Sequence, residues 1–317
     1  MLPHAKAGTF AVVTAALFWP QMGMSSCGGN YCSVNTQWET QGAWTGRGVR
    51  VNLHYAYIDL GQLRHGSNKA VAAAIPETDD ERRTLDRSLL AGLDYAIDDA
   101  WSLSVQLPII QRAHNHTEND TPPLREFWHL SGIGDLRFSG SRQFALSPDT
   151  SAGIRVGMKL PTGKVDDVST DGKLAERSLQ LGSGSTDILL GAYYYRKLQG
   201  NAATVFAQTQ WQRPLTERDH YEPGQQLSAD MGLRYALTLA TSAMLQLNLL
   251  WKDRDQGLDA EPDETGGRYA YLSPGVSHTL SSRLQVFGFV QLPLYQFVNG
   301  TQLSVDKSAT IGISWKL

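Results

Sequence analysis

The chain has 317 residues, of which 41% are hydrophobic and 19% are charged, and its formal net charge at pH 7 is −3. This slightly acidic balance, without a basic stripe, gives no electrostatic basis for binding nucleic acid. The mean hydropathy of −0.29 suits a soluble domain, but it equally suits a membrane barrel, because a barrel exposes only alternate residues to lipid.

The first element in chain order is an apolar run at residues 7–19, preceded by His4 and Lys6 and followed by small residues. The run is too short to span a bilayer, but it has the length of the apolar part of a secretory signal. We therefore predict that residues 1–26 are a signal peptide and that the chain is exported.

The chain contains two cysteines, Cys27 and Cys32, both within the next segment, residues 27–47. In an oxidising compartment the two thiols are able to form a small disulfide loop. Lipidation of Cys27 is a second interpretation, since residues 24–26 loosely resemble a lipobox, and a metal or redox site is a third. The segment itself is expected to lie in the periplasm or to plug a lumen.

From residue 48 to residue 317 the sequence alternates between apolar and polar residues, without a helical period. In the last stretch Ile311, Ile313 and Trp315 share one face, while Gly312 and Ser314 take the other. About twelve such stretches, each near the roughly 9 to 11 residues that cross a bilayer at a tilt, predict an all-β fold. The expected architecture is a transmembrane antiparallel up-and-down barrel. Only the seventh stretch, around Val205–Trp211, does not settle on one face.

The connectors between the strands are alternately long and charged, then very short. Residues 61–84, 112–130 and 162–184 are predicted to be long polar loops. An even number of strands with a long first connector places both termini at the end with the short turns, which in outer-membrane barrels is the periplasm. A soluble β-sandwich or lipocalin-like barrel is the alternative, but the aromatic residues near strand ends favour the membrane. The expected location is the outer membrane of a Gram-negative bacterium, in contact with its lipid.

The polar faces of the strands are predicted to line a lumen that carries charges of both signs. The main candidates are Arg50, His54, Asp94, Arg155, Lys159, Asp187, Asp230 and Arg234. Such a mixture suits a hydrated interior for small solutes. The alternative is that these residues only bridge one another and hold the barrel closed.

Four prolines follow leucine or arginine near the expected outer ends of strands. They are Pro108, Pro161, Pro214 and Pro293. A proline has no N–H for the ladder, so each weakens strand pairing. Either these prolines only end strands, or they open a lateral path between the lumen and the membrane for apolar substrates.

Three sequence elements occur in order: 132–138, beginning Gly-Ile-Gly-Asp; 156–163, containing Leu-Pro-Thr-Gly; and 182–195, containing Gly-Ser-Thr-Asp-Ile. From residue 89 to residue 317 the chain resembles the outer-membrane barrel family of the meta-pathway of phenol degradation. The resemblance implies a barrel and a transport role for small hydrophobic compounds, and it carries over no catalytic or ligand residues.

Sequence patterns that would indicate other functional classes are weaker. A barrel that hydrolyses lipid requires a serine within hydrogen-bond reach of a histidine, and His278 is expected at the short-turn end, facing lipid. A metal-associated barrel is suggested by His114 and His116, which share one side of an extended segment, with His129 on the same connector. We predict no enzyme activity and no cofactor, and the sequence leaves the oligomeric state open.

Overall fold

The structure is a computed structural model that describes residues 34–42, 46–71, 80–118, 124–168, 172, 174–198, 202–258 and 260–317. The predicted signal peptide and both cysteines, Cys27 and Cys32, lie outside the described residues, and their roles remain predictions. None of the described helices is long and apolar enough to cross a membrane.

The barrel strands are labelled β1 to β12 in chain order. They are β1 (Gly48–Leu60), β2 (Asp80–Ala96), β3 (Trp101–Glu118), β4 (Leu124–Ile133 and Leu136–Ser147), β5 (Thr150–Leu160), β6 (Asp187–Leu198), β7 (Ala203–Pro214), β8 (Gln226–Ala236), β9 (Thr241–Lys252), β10 (Gly267–Thr279), β11 (Leu284–Val298) and β12 (Lys307–Lys316).

Every barrel strand is antiparallel to both of its neighbours, and the sheet closes on itself. Among the described residues the sheet has thirteen hydrogen-bonded strands, but the two parts of β4 both pair with β3 and so fill one position of the wall. The last strand returns to the first, with Arg50 opposite Lys316 and Asp59 opposite Lys307. The prediction of a closed, twelve-stranded up-and-down barrel is therefore confirmed.

Burial along the strands is the reverse of that in a soluble barrel. Large apolar side chains such as Leu103, Ile154 and Ile311 are exposed on the outer face, whereas Asn248, Ser273 and Ser314 are fully buried inside. Polar side chains line the interior because the outer face is the one that meets lipid. The transmembrane assignment of the fold follows from this inversion.

Two predicted loops are shorter than expected, because the strands continue past the lipid-facing region. Residues 112–130 are not one long loop: β3 extends to Glu118 and β4 begins at Leu124. Likewise β2 begins at Asp80, inside the predicted loop 61–84. Charged and polar residues had suggested loops, but a strand outside the membrane is able to carry them on both faces.

The seventh stretch forms β7, and its mixed pattern has a local cause. Phe206 is a large apolar residue, but it lies buried on the inward face, where most side chains are polar. Its ring lies so close to Gly232 on β8 that a Cβ at that glycine would approach it to 2.4 Å. A large aromatic side chain fits the interior here because its neighbour has no side chain, and this pairing hides the period of two.

At the end with the long connections, residues 174–183 fold inward and cap the barrel. Ala175, Leu179 and Leu181 are buried against Trp128 and Tyr271 in the main apolar cluster. Small strands extend the wall around this cap. Gln62–His65 pairs with Asn68–Lys69 and Thr301–Ser304, and Tyr221–Glu222 pairs with Gln256–Gly257.

Candidate functional site

Residues 34–42 lie inside the barrel, in the half that is nearer the short turns. Within this stretch a tight turn is closed by hydrogen bonds from the Thr40 amide to the Gln37 carbonyl (3.1 Å) and from the Gly42 amide to the Glu39 carbonyl (3.0 Å). Gly42 has a φ of +63°, which favours glycine. We call residues 34–42 the lumen segment.

Polar bonds hold the lumen segment to β9 and β7. The Asn35 amide donates to Gln246 Oε1 (3.1 Å), and Gln246 Nε2 donates back to the Asn35 carbonyl (2.9 Å). Thr40 Oγ1 donates to Gln208 Oε1 (3.1 Å). Because these amides satisfy buried backbone groups, the segment is bound specifically and does not merely rest in the lumen.

Trp38 is the apolar anchor of the lumen segment. The side chain is 1% exposed and packs with Met244, Phe287 and Phe289. Its ring meets that of Phe287 edge-on at a centroid distance of 5.0 Å, and its Nε1 donates to Ser314 Oγ at 2.9 Å. These contacts join the segment to β9, β11 and β12.

Charged groups complete the binding of the segment. Glu39 pairs with Arg50 at 3.5 Å and accepts a hydrogen bond from Ser102 Oγ (3.3 Å), while Arg155 donates to Gln37 Oε1. Burial, and then the nearby Asp94 carboxylate, raise the pKa of Glu39 above its ordinary value, although Arg50 and Arg155 act in the opposite direction. Docking of the segment therefore makes Glu39 easier to protonate than an exposed glutamate.

Asp230 on β8 is the centre of a hydrogen-bond network, and its partners on β7 and β9 are uncharged amides. Its carboxylate accepts from Gln208 Nε2 (2.7 Å) and from Asn248 Nδ2 (2.6 Å). Asn248 Oδ1 accepts in turn from Ser273 Oγ at 2.6 Å. Since Gln208 also binds Thr40 of the lumen segment, this network continues into the segment.

Lys159 is the centre of a second network, which ties the cap to the wall. Its Nζ lies 2.9 Å from Asp187 and 3.4 Å from Asp135. Asp135 also accepts from the amides of Gly163 (3.0 Å) and Ser183 (2.9 Å). Asp135 and Asp187, which belong to the sequence elements 132–138 and 182–195, thus converge on one buried lysine.

The eight predicted lumen residues fall into three groups. Arg50, His54 and Arg155 contact the lumen segment, His54 through Thr36 Oγ1 at 3.3 Å. Lys159 and Asp187 pair with each other. The remaining three bind neutral groups on neighbouring strands, with Asp94 bound to Asn52, Asp230 to Gln208 and Asn248, and Arg234 to Ser242.

A cavity of about 460 Å³ lies between the lumen segment and the cap. Most of the residues that line it are polar, but Leu90, Ile110 and Pro108 give it an apolar side. Phe138 also contributes to the lining although it is 40% exposed on the outer face of β4. The cavity therefore reaches the barrel wall between β3 and β4.

The wall is irregular at that place. Pairing of β3 with β4 runs from Trp101 to Gln106 and resumes at Ile109, so Leu107 and Pro108 lie outside the regular register. One hydrogen bond crosses the gap, from the Gly134 amide to the Pro108 carbonyl (2.8 Å). Pro108 thus lies within a long strand, at an interruption of the ladder, and not at its end.

The other predicted prolines occupy different environments. Pro214 ends β7 and Pro161 follows β5 directly. Pro293 lies inside β11 beside a register shift against β10. Pro274, which is not among the four predicted prolines, lies in β10 opposite a further gap in the same pairing.

The three histidines suggested as metal ligands do not all lie together. His114 and His116 are buried side by side on β3, whereas His129 is exposed on the outer face of β4. His278 is also exposed and its Nδ1 lies 2.8 Å from Thr241 Oγ1.

The architecture defines the class of protein: it is a transmembrane β-barrel with the fold of an outer-membrane channel. A family model described as "Putative MetA-pathway of phenol degradation" matches residues 109–295, which is more than half of the chain. The chain belongs to this family, as the resemblance of its sequence elements predicted.

Solved structures agree with this assignment of the fold. An outer membrane channel from Pseudomonas putida F1 matches with a TM-score of 0.67 and 15% identity, covering 91% of this chain and 98% of that one. The NanC porin gives a TM-score of 0.48 at 7% identity, over 84% and 100% of the two chains. The Ralstonia pickettii toluene transporter TbuX gives 0.40 at 8% identity, over 86% and 90%. The last two scores are too low to support an inference. No match was found among curated protein sequences.

Proposed function

We propose that the protein is an outer-membrane channel for small hydrophobic compounds, including aromatic ones. The single observation that carries the proposal is the cavity of about 460 Å³ that reaches the wall between β3 and β4. Its size suits a small molecule, and its mixed lining offers apolar contact on one side and polar groups on the other. Membership of a family described by phenol degradation supports the aromatic substrate class.

In this proposal the barrel lies in the outer membrane of a Gram-negative bacterium, with both termini in the periplasm and the long connections outside the cell. An even number of strands and connectors that alternate between long and short support this orientation. Residues 1–26 act as the signal peptide, and residues 27–47 remain on the periplasmic side and enter the lumen from there. The proposed role includes no catalytic step.

The lumen segment acts as the gate of the proposed channel. The segment obstructs the periplasmic half of the lumen. It is held there by hydrogen bonds to Gln246 and Gln208 and by the buried side chain of Trp38. A solute in the cavity has two ways out: axially, if the segment moves, or laterally, through the interruption at Leu107 and Pro108. An apolar solute favours the lateral way, because it then remains in contact with apolar surface.

The lateral path is tested by closing the interruption with a disulfide. Gln106 pairs with Arg137, and Leu107 and Leu136 are the next residues on the two strands, at the start of the interruption. A disulfide between these two positions would hold the strands together there, because its geometry fixes a short Cα separation. The double variant Leu107→Cys with Leu136→Cys, in a chain without the native cysteines, is expected to lower uptake of an aromatic solute when oxidised and to recover it when reduced.

The matched control places the same bond in an intact part of the same ladder. Leu103 and Gly140 are regular partners, so the oxidised Leu103→Cys, Gly140→Cys variant should transport normally. Equal uptake by the oxidised and reduced forms of the first variant would reject the lateral path. If neither form, nor the parent barrel, transports the aromatic solute, the channel proposal itself fails.

A further inference from the structure

A cluster of histidine and glutamate side chains lies in the wall beyond the lipid-facing region. The apolar outer face of β3 ends at Ile109 and is followed by the exposed Gln111. His114 lies five residues beyond Ile109, roughly 16 Å along the strand at the rise of an extended chain. Glu81, His114, His116 and Glu126 are all buried on the inner side of this extension.

A β-bulge brings Glu81 onto the same face as the histidines. Thr84 lies opposite His114 and Arg83 opposite Asn115, but Glu81, and not Arg82, lies opposite His116. The extra residue Arg82 changes the phase of β2. Bulges commonly turn a side chain toward a site in this way, and here the result is a buried carboxylate beside two imidazoles.

Three ligand atoms converge in this cluster. His114 Nε2 lies 3.2 Å from His116 Nδ1 and 3.7 Å from Glu81 Oε2, and all three atoms lie within 4.8 Å of one another. Bonds of about 2.0–2.1 Å in a tetrahedral zinc site place neighbouring ligand atoms roughly 3.3–3.5 Å apart. The side chains therefore need only small shifts to hold one ion.

The far nitrogens of both imidazoles also face oxygen atoms. Thr84 Oγ1 lies 2.8 Å from His114 Nδ1, and Glu126 Oε2 lies 3.7 Å from His116 Nε2. Such partners fix the ring orientation and tautomer of metal-binding histidines. Trp128 covers the cluster, with ring centroids 5.6 Å from His114 and 4.8 Å from His116.

We propose that Glu81, His114 and His116 bind one divalent transition-metal ion of the zinc class. Two imidazole nitrogens and a carboxylate oxygen suit zinc and copper better than magnesium or calcium. Because Glu81 is on β2 and both histidines are on β3, the ion joins these strands outside the membrane and stabilises the rim around the cap. This role is independent of the transport proposal.

The competing interpretation is a chain of hydrogen bonds from Thr84 through His114 to His116, with Glu126 as the charge partner of His116, which needs no ion. The test uses the full chain with Cys27→Ser and Cys32→Ser, so that these thiols cannot bind zinc. The protein is refolded in detergent with and without zinc chloride and then desalted. We expect one retained zinc per chain and a higher unfolding temperature in the zinc-loaded sample.

The variants His114→Ala and His116→Ala should each lower zinc affinity at least tenfold and remove the thermal shift, while Glu81→Gln weakens both. His129→Ala is the matched control, because His129 is exposed on the adjacent strand, and it should retain zinc and the shift. Absence of stoichiometric zinc in the parent, or equal retention in His114→Ala, would overturn the proposal.

Folding of each variant is followed by the change in electrophoretic mobility on heating. If the alanine variants do not fold, the parent alone decides the question by X-ray absorption at the zinc edge. Two imidazoles with nitrogen and oxygen neighbours at about 2.0–2.1 Å support the site. A shell of water oxygens without imidazole scattering rejects it.

Discussion

The substitution Trp38→Ala should release the lumen segment and open the channel. A buried tryptophan removes about 150–250 Å² from water, which at about 25 cal/mol per Å² corresponds to about 4–6 kcal/mol as an upper estimate. Truncating such a side chain in a core costs about 3–5 kcal/mol. With the lower figure of about 3 kcal/mol, the ratio of displaced to docked segment rises roughly 100-fold.

The assay is single-channel conductance in planar bilayers, read as the fraction of time in the high-conductance state. Trp38→Phe retains a ring against Phe287 and loses the bond to Ser314. With about 1 kcal/mol for that bond, the displaced fraction should rise only about fivefold. Trp315→Ala is the matched control, because Trp315 adjoins Ser314 but is 50% exposed on the outer face.

The order of open probability should be Trp38→Ala, then Trp38→Phe, then the unaltered chain, with Trp315→Ala equal to the last. A folded Trp38→Ala barrel with the conductance of the unaltered chain would show that the segment is not the gate. Opening by Trp315→Ala to the same degree as by Trp38→Ala would show the same.

Three further predictions concern the gate and the cap. Gly42→Ala should raise open probability, because Gly42 has a φ of +63° and a new Cβ would approach the Tyr195 ring to 2.5 Å; Gly172→Ala, with a φ of +81° and no atom within 4 Å, should leave conductance unchanged. Because the pKa of Glu39 is raised above 4.5 in the docked segment, docking takes up a proton, so lowering the pH through the raised value should close the channel further. This pH dependence should disappear in Glu39→Gln. Opening of the unaltered channel on acidification would contradict the prediction. Asp135→Ala should expose residues 174–183 to protease and lower the free energy of unfolding of the barrel by about 3 kcal/mol. The reason is that Lys159 loses one of its two carboxylates and two backbone amides lose their acceptor. Asp149→Ala, in an exposed turn, is the control and should match the unaltered chain in both assays.

The period of two made the barrel predictable, because a lipid-facing strand shows its alternation directly in the sequence. The spacing of His114 and His116, two residues apart, also indicated that they share one side of an extended chain, and both side chains are buried on β3. It could not reveal Glu81 as their neighbour, because the bulge at Arg82 changes the phase of the strand. Such a change depends on pairing between strands and leaves no mark in the local pattern.

The parts of the interior that have no period were harder to predict. Residues 27–47 were expected either in the periplasm or in the lumen, but only the tertiary structure identifies Trp38 as the residue that packs against Phe287. Residues 174–183 were predicted to lie in a loop, but Leu179 of this cap is fully buried. In both cases the contacts join residues that are distant in sequence, and they depend on the closure of the barrel.

The proposed channel passes small aromatic compounds in preference to hydrophilic solutes of the same size. The most direct measurement is the initial rate of uptake across an asymmetric lipopolysaccharide–phospholipid membrane, because a plain phospholipid bilayer is itself permeable to phenol-sized molecules. We expect reconstituted protein to accelerate uptake of a phenol-sized aromatic more than that of a polyol of similar volume. Equal acceleration of the two solutes, or none of the aromatic, would contradict the account.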